Sequence, residues 1–360
     1  MIGSRLKLAR DGAGLSLRAL AARIENRVTP QAIGRYERNE MMPSSGVLLA
    51  LASALHVSPD YLMEQRQIRL GGIEFRKATN TSAKEEKAVA AQVVENLERH
   101  ILVEEALGLP IPDWRSPLAD LEPVQDESGA FAAADALRLR WQLGTDPIPS
   151  MTELLEERGI KVIALPLPPT VFGSKAIASV AERPGIPAII INAVHTGERQ
   201  RFTLAHELGH LAMSVAPDIT NRAAEKLIDR FAGAFLVHRE ELRRLVGLRR
   251  NDVSLGELVE LKSHFRVSLQ CLVLRLGQCG VLSSADASRH WQMLKDHGYL
   301  APPYAEPMPL PAERSHRLHR LVMRAVSEGA LEEPRAAELL RVSVRSLTRW
   351  LDEGAHAELA

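Results

Sequence analysis

Residues 201–213 read RFTLAHELGHLAM and contain the pattern His-Glu-x-x-His at 206–210. On an α-helix, side chains four residues apart lie on one face, so His206 and His210 can direct imidazole nitrogens at one metal ion. Glu207 lies beside this face, where it can take a proton from water at the metal. Apolar residues recur at helical spacing in the same stretch and predict a buried side. The pattern therefore predicts a metal-binding helix at the edge of a core.

A third protein ligand is needed, because a catalytic zinc site generally has three protein ligands and one open position. Residues 225–236 form a following helical pattern, and a helix antiparallel to the first brings Glu225 back beside the histidines. Asp229, one turn later, would accept a hydrogen bond from a ligand imidazole, or bind the metal itself in another register. Asp218, in the intervening loop, is a weaker alternative. The residues favour a Zn²⁺ site that includes Glu225.

The first 66 residues read as five short helices with turns between them, at 3–11, 16–24, 30–37, 45–55 and 59–65. Ser16 and Thr29 are predicted to cap the second and third helices. A short turn joins these two helices, as in a helix-turn-helix whose latter helix enters a DNA major groove. The first 70 residues carry ten basic and six acidic side chains. The alternative is a protein-binding bundle with a charged face.

This segment resembles the lambda-repressor-like, or XRE-type, DNA-binding domain. The resemblance lies in RLKLAR at 5–10, LSLRALA at 15–21 and IGRYER at 33–38. It implies binding of double-stranded operator DNA, with Gln31 and Arg35 facing base edges. The side chains expected nearer the phosphates are Thr29, Arg38 and Asn39. A homodimer is expected, because two such units on a two-fold site roughly double the contacts.

The middle of the chain combines helical patterns with short strands predicted at 159–165, 177–181 and 188–192. It resembles the ImmA/IrrE family of metallo-endopeptidases, from 141–148 through the His-Glu-x-x-His stretch to the helix that contains Glu225. The resemblance implies that His206, His210 and Glu225 bind zinc and that Glu207 activates water for peptide-bond hydrolysis. His238 either steadies an oxyanion or caps a helix, and capping is the favoured role.

The predicted fold class is multidomain and mainly α. The predicted domains are an all-α helix-turn-helix domain at 1–66, a linker with a long helix at 67–125, an α+β zincin-like peptidase domain at 126–282, and a linker with a small helical domain at 283–360. The last domain has a helix-turn-helix pattern and balanced charge, which favours dimerisation or partner binding over a second DNA contact.

The two resemblances together imply a regulator that binds an operator and cleaves a repressor, an antitoxin-like partner or itself when signalled. The signal could be DNA damage or single-stranded DNA, although aromatic residues at 4% offer no stacking platform for single strands. Analogy with similar fusions also suggests a toxin partner. The alternative is a non-enzymatic repressor or antitoxin whose zinc domain is a sensor or scaffold.

Composition limits the remaining possibilities. Basic and acidic residues are equal at 45 each, so the chain as a whole has no field that drives it onto a polyanion. Cys271 and Cys279 are too few for a disulfide framework and are predicted to be core thiols. The apolar stretches are shorter than a membrane span, and a cytoplasmic protein without membrane contact is expected.

Overall fold

The computed structural model describes residues 2–63, 68–77, 83–110, 114–168, 171–180 and 183–353. These ranges contain 17 helices and four strands. The helices are α1 Gly3–Gly12, α2 Leu17–Arg23, α3 Pro30–Glu37, α4 Ser45–Leu55, α5 Pro59–Met63, α6 Ala83–Ala106, α7 Glu127–Arg140, α8 Met151–Glu157, α9 Gly197–Ala212, α10 Asn221–Leu236, α11 Arg239–Val246, α12 Leu255–Phe265, α13 Leu269–Gln278, α14 Ser284–Asp296, α15 Arg317–Ser327, α16 Glu333–Leu340 and α17 Val344–Glu353. The strands are β1 Ile68–Lys77, β2 Lys161–Leu165, β3 Val171–Val180 and β4 Arg183–Asn192. The predicted mainly helical fold is confirmed.

The first five helices form one bundle around a shared apolar core. Its fully buried side chains are Leu6, Leu20, Ile33, Leu51 and Leu62. The Ser16 hydroxyl accepts a hydrogen bond from the Ala19 N–H, and the Thr29 hydroxyl accepts one from the Ala32 N–H. Both predicted N-caps are therefore confirmed, and they set where α2 and α3 begin.

The central sheet has the strand order β1-β3-β4-β2. Strands β2 and β4 are parallel, whereas β3 is antiparallel to both β4 and β1. Alternate residues of β4 point to opposite faces, so Ile189 and Ile191 lie in the core that includes α9, and Ile190 lies in the core that includes α6. Helices thus cover both faces of the sheet, and α9 packs on β3 and β4.

Three parts of the fold differ from the prediction: the segment before α6, the region of α14 and the lengths of two strands. The segment predicted as a linker with one long helix also contains β1, which joins the sheet by pairing with β3. Gly71 and Gly72 in mid-segment weaken its intrinsic preference for extended structure, so its pairing is a tertiary effect. Helix α14 was not predicted either. Strands β3 and β4 are longer than expected, and Ala181, at the end of the strand predicted for 177–181, lies outside the described residues.

The C-terminal helices α15, α16 and α17 form a separate small core that includes Leu321, Leu347 and Trp350. Val103 of α6 belongs to the same core, so α6 contacts this unit as well as the sheet. Within the ranges described, no helix is both long enough and apolar enough to cross a membrane.

The chain between α14 and α15 returns to the start of α9. The Leu310 N–H donates to Glu198 over 2.9 Å, and the Glu313 N–H donates to Gln200 over 2.8 Å. A Cβ atom on Gly197 would lie 2.2 Å from the carbonyl oxygen of Pro311, so only glycine allows this approach. The start of α9, the helix that contains His206 and His210, is therefore fixed by a segment more than 100 positions later in the chain.

Candidate metal centre and DNA-facing surface

Two packed helices bring the predicted metal ligands together. Helix α9 carries His206 and His210, and α10 packs against it. At the contact, a Cβ atom on Gly209 would lie 2.9 Å from Phe231 Cδ1 and 3.0 Å from Ile228 Cγ2. The glycine between the two histidines thus permits the close packing that places α10 beside them.

The three predicted ligands form one cluster. The Nε2 atoms of His206 and His210 are 3.1 Å apart, and Glu225 oxygens lie 3.5 Å from His206 Nε2 and 3.2 Å from His210 Nε2. Ligands about 2.1 Å from a tetrahedral zinc ion are about 3.4 Å from one another. The donor atoms present therefore fit a tetrahedral zinc site in both type and spacing.

Asp229 orients the more buried histidine. Its Oδ1 lies 2.8 Å from His206 Nδ1, so the imidazole tautomer protonated at Nδ1 donates to the carboxylate. That tautomer leaves the Nε2 lone pair directed at His210 and Glu225. A carboxylate behind a ligand histidine fixes the ring and raises its basicity.

Burial differs across the cluster. The His206 side chain is 1% exposed, that of His210 is 22% exposed, and that of Glu225 is 38% exposed. The cluster is thus anchored in the core at His206 and reaches solvent at Glu225. A site of this shape can admit a substrate on one side while its metal ligands are held in place.

Glu207 is buried, at 3% exposure, and lies next to strand β3. A Cβ atom on Gly173 of β3 would be 2.4 Å from Thr203 Cγ2 and 3.7 Å from Glu207 Oε1. The missing side chain allows β3 to run directly against the face of α9 that presents Glu207. Neither this glycine nor Gly209 was identified from the sequence, although a glycine inside a strand or helix pattern signals close backbone approach.

The second candidate site is the exposed face of α3. Helices α2 and α3 together form a shallow depression with a volume of about 650 Å³. Its lining includes Gln31, Arg35 and Arg38. All three side chains are exposed. Arg38 is held by Glu40 through hydrogen bonds of 2.6 and 3.0 Å, and this ion pair raises the pKa of Arg38.

Comparison with protein families addresses both regions. Residues 6–62 match the family model described as helix-turn-helix, and residues 155–277 match the one described as IrrE N-terminal-like domain, a peptidase family. Two separate parts of the chain thus match two different family models, and each match covers less than half of the chain. Both resemblances seen in the sequence are thereby confirmed, and the group of His206, His210 and Glu225 lies inside the second match. Comparison with curated proteins found no match.

In the IrrE-like domain, two further residues singled out from the sequence, Asp218 and His238, lie outside the group of His206, His210 and Glu225. Asp218 is exposed in the loop between α9 and α10 and does not belong to the His206, His210 and Glu225 group, the grouping found among the described residues. His238 caps α11 by accepting a hydrogen bond from the Glu240 N–H over 3.3 Å, and its Nε2 lies 3.5 Å from Asp135. Burial lowers the pKa of His238, and this effect exceeds that of the nearby Asp135 charge, which raises it. His238 therefore has the helix-capping geometry that the sequence favoured, and its role at an oxyanion stays a prediction.

In the helix-turn-helix domain, two side chains predicted near phosphates have contacts within the bundle. The Thr29 hydroxyl caps α3, and the Asn39 side-chain oxygen accepts a hydrogen bond from the Gly3 N–H over 2.8 Å. Asn39 also has a positive φ of 58°, a backbone conformation that asparagine tolerates better than most residues. These contacts give Thr29 and Asn39 structural roles in addition to any DNA contact.

Proposed function

We propose that this chain is a DNA-binding regulator whose IrrE-like domain is a zinc-dependent endopeptidase. The observation that carries the proposal is the convergence of His206, His210 and Glu225, whose ligand atoms all lie within 4.8 Å of one another. Glu207 lies on the same helix, beside the strand that runs along the site. The fused helix-turn-helix supplies the means to act at a chosen DNA sequence.

His206, His210 and Glu225 would hold the zinc, and Asp229 would keep the proton of His206 on Nδ1. When bound, zinc lowers the pKa of water towards about 7 and polarises a substrate carbonyl. The partial exposure of Glu225 leaves one side of the cluster for water and substrate.

Glu207 is the proposed proton carrier. Its carboxylate would accept a proton from the attacking water and deliver it to the nitrogen of the departing peptide. General acid–base catalysis of this kind contributes about 10²- to 10⁴-fold to a rate. The burial of Glu207 excludes bulk water from the group that must exchange the proton.

The first test separates metal binding from proton transfer. Purified protein is expected to contain about one zinc per chain by elemental analysis, and Glu207→Gln should retain it, because Glu207 is not a ligand. Cells expressing the parent or the variant are then compared for new protein N-termini by mass spectrometry. Cleavage products should occur with the parent alone. Products that persist with Glu207→Gln would refute this role for Glu207.

The proposed substrates are a repressor, an antitoxin-like partner or the chain itself, with a toxin as a possible associated partner. DNA damage, or the single-stranded DNA it produces, is the proposed signal. The fusion supports this proposal because a peptidase tethered to an operator would act on proteins bound nearby. If regulation is unchanged in Glu207→Gln while zinc is retained, the domain is a sensor or scaffold instead.

The exposed face of α3 is the proposed surface for operator binding. The proposed binding species is a cytoplasmic homodimer. Arg35→Ala should weaken binding to the selected sequence by about 1–3 kcal/mol in a fluorescence titration. Arg324→Ala, which removes an exposed arginine outside this domain, is the matched control and should have no effect. Sedimentation of the free protein tests the dimer separately.

A further inference from the structure

The sheet contains one strand from outside the peptidase-family region. Strands β2, β3 and β4 all lie within residues 155–277, which match the IrrE-like family model. Strand β1 comes from residues 68–77, between the helix-turn-helix domain and α6. It adds to the edge of the sheet by antiparallel pairing with β3. The edge of β3 is therefore covered by a segment that the peptidase domain itself does not supply.

This edge runs beside the candidate catalytic residue. Gly173 of β3 lies against α9, where a Cβ atom would be 3.7 Å from Glu207 Oε1. On β1, Phe75 pairs with Ser174 and Lys77 pairs with Val171, with a register shift between them. The backbone at 75–77 is therefore opposite the part of β3 that contains Gly173. A strand at this position runs alongside the site.

An antiparallel edge of this kind is a binding surface for extended peptides. Its N–H and C=O groups give affinity to any strand that adds to it, independent of the peptide sequence. A strand tethered to the same chain competes at an effective concentration in the millimolar range. A peptide in solution must overcome this advantage before it can pair with β3.

We propose that β1 is an intramolecular blocking strand that fills the position where a protein substrate would pair with β3. In this arrangement, a substrate strand binds only after β1 leaves the edge. The inference rests on the proposed function in treating the displacing partner as an extended polypeptide substrate. It adds a regulated, closed state to that function.

The helical bundle that precedes β1 in the chain contacts α6, the helix that follows β1, through its first helix α1. Arg5 of α1 forms a buried ion pair with Glu98 of α6, and the Gln92 side chain donates to the Gly12 carbonyl over 3.0 Å. Helix α6 also packs on the sheet. A change in the position of the helix-turn-helix domain would therefore act on both ends of β1.

The test weakens the β1–β3 pairing in the full-length chain. Glu74→Pro combined with Phe75→Pro removes two successive backbone N–H donors. Because successive N–H groups of a strand point in opposite directions, one of the two removed donors is the one that faces β3. Glu74→Ala combined with Phe75→Ala removes the same side chains but retains both donors, and is the matched control. Hydrogen exchange at 171–180 should be at least about tenfold faster in the proline variant and close to the parent rate in the alanine variant.

A second readout uses a fluorescent peptide with the sequence of residues 68–77 as the probe. The proline variant should bind it, whereas the parent and the alanine variant should bind it at least about tenfold more weakly, because their own β1 competes. Equal binding to all three proteins, or no binding to a folded proline variant, would overturn the proposal. Continued protection of α9 and α10 from exchange shows that the variant is folded.

A crosslinked variant covers the case in which the proline variant unfolds. Phe75→Cys with Ser174→Cys places two cysteines at paired positions, and oxidation should hold β1 on β3. The peptide should then bind only after reduction and at high concentration; binding to the oxidised form would contradict the proposal. None of these measurements requires zinc or hydrolysis, so their failure is distinguishable from failure of the proposed peptidase activity.

Discussion

The two ends of helix α9 use charged and polar residues in opposite ways. Near its start, Glu198 is paired with Lys262 and Arg201 is paired with Glu313, so each buried charge meets its opposite. Near its end, His206 and His210 meet carboxylates from α10, and the donor atoms converge on a volume the size of a metal ion. Near the start of α9, the charges are neutralised by other side chains of the protein. Near the end of α9, the histidine and carboxylate groups are arranged so that a cation could bind between them.

The paired end connects distant segments of the chain. Arg201 also donates to the Ile148 carbonyl over 2.6 Å, and Glu313 accepts from the Thr152 N–H over 3.0 Å. Burial by itself would raise the pKa of Glu313, but the Arg201 charge and the hydrogen bonds overcome it and lower that pKa. The Arg201–Glu313 pair is therefore ionised inside the protein, and its role is structural.

The largest effect is expected at the paired end. Arg201→Ala leaves Glu313 buried without its partner and should destabilise the fold by about 3–5 kcal/mol in urea unfolding. Combining Arg201→Met with Glu313→Gln removes both charges and should recover most of the loss. If the double variant is no more stable than the single one, the ion pair is not the cause.

At the metal end, removal of a ligand should reduce metal affinity with little change in folding. Glu225→Ala is expected to weaken zinc binding by roughly 10²-fold or more, since a few ligands share a binding free energy of about 10 kcal/mol. Chelator competition measures this affinity. Glu240→Ala, which removes an exposed carboxylate on α11, should have no effect. An unchanged affinity in Glu225→Ala would exclude Glu225 as a ligand.

A smaller effect is expected behind the ligands. Asp229→Ala removes the acceptor for His206 Nδ1 and should lower zinc affinity about 10- to 100-fold. Asp229→Asn retains a side-chain oxygen at the same place and should recover most of that affinity. Equal losses in the two variants would show that Asp229 acts through its charge rather than by orienting the histidine.

The smallest effect is expected at the N-cap of α9. The Thr196 hydroxyl caps α9 by accepting from the Arg199 N–H over 3.4 Å. Thr196→Ala should cost about 1 kcal/mol of stability, and Thr196→Ser should restore it. Zinc affinity per folded chain should be the same in all three proteins. A parallel fall in affinity would mean that the two ends of α9 are not independent.

Much of the fold was predictable because the signals are local. The caps at Ser16 and Thr29, the helical periodicity and the four-residue spacing of His206 and His210 each depend on residues within one or two turns. The position of Glu225 required one further assumption, that the next helix packs back on α9. Its distance from the histidines follows from that packing.

Most of the helices, both family resemblances and the types of residue available to bind a metal could be inferred from the amino-acid sequence without the structure. The folded structure was needed to show that β1 joins the sheet, which of its two predicted roles Asp229 adopts, and that Arg201 pairs with Glu313, 112 positions away. The physical reason is the range of the interactions. Helix capping and helical periodicity depend on residues close together in the sequence. Strand pairing and buried ion pairs depend on which distant segments pack against each other away from water.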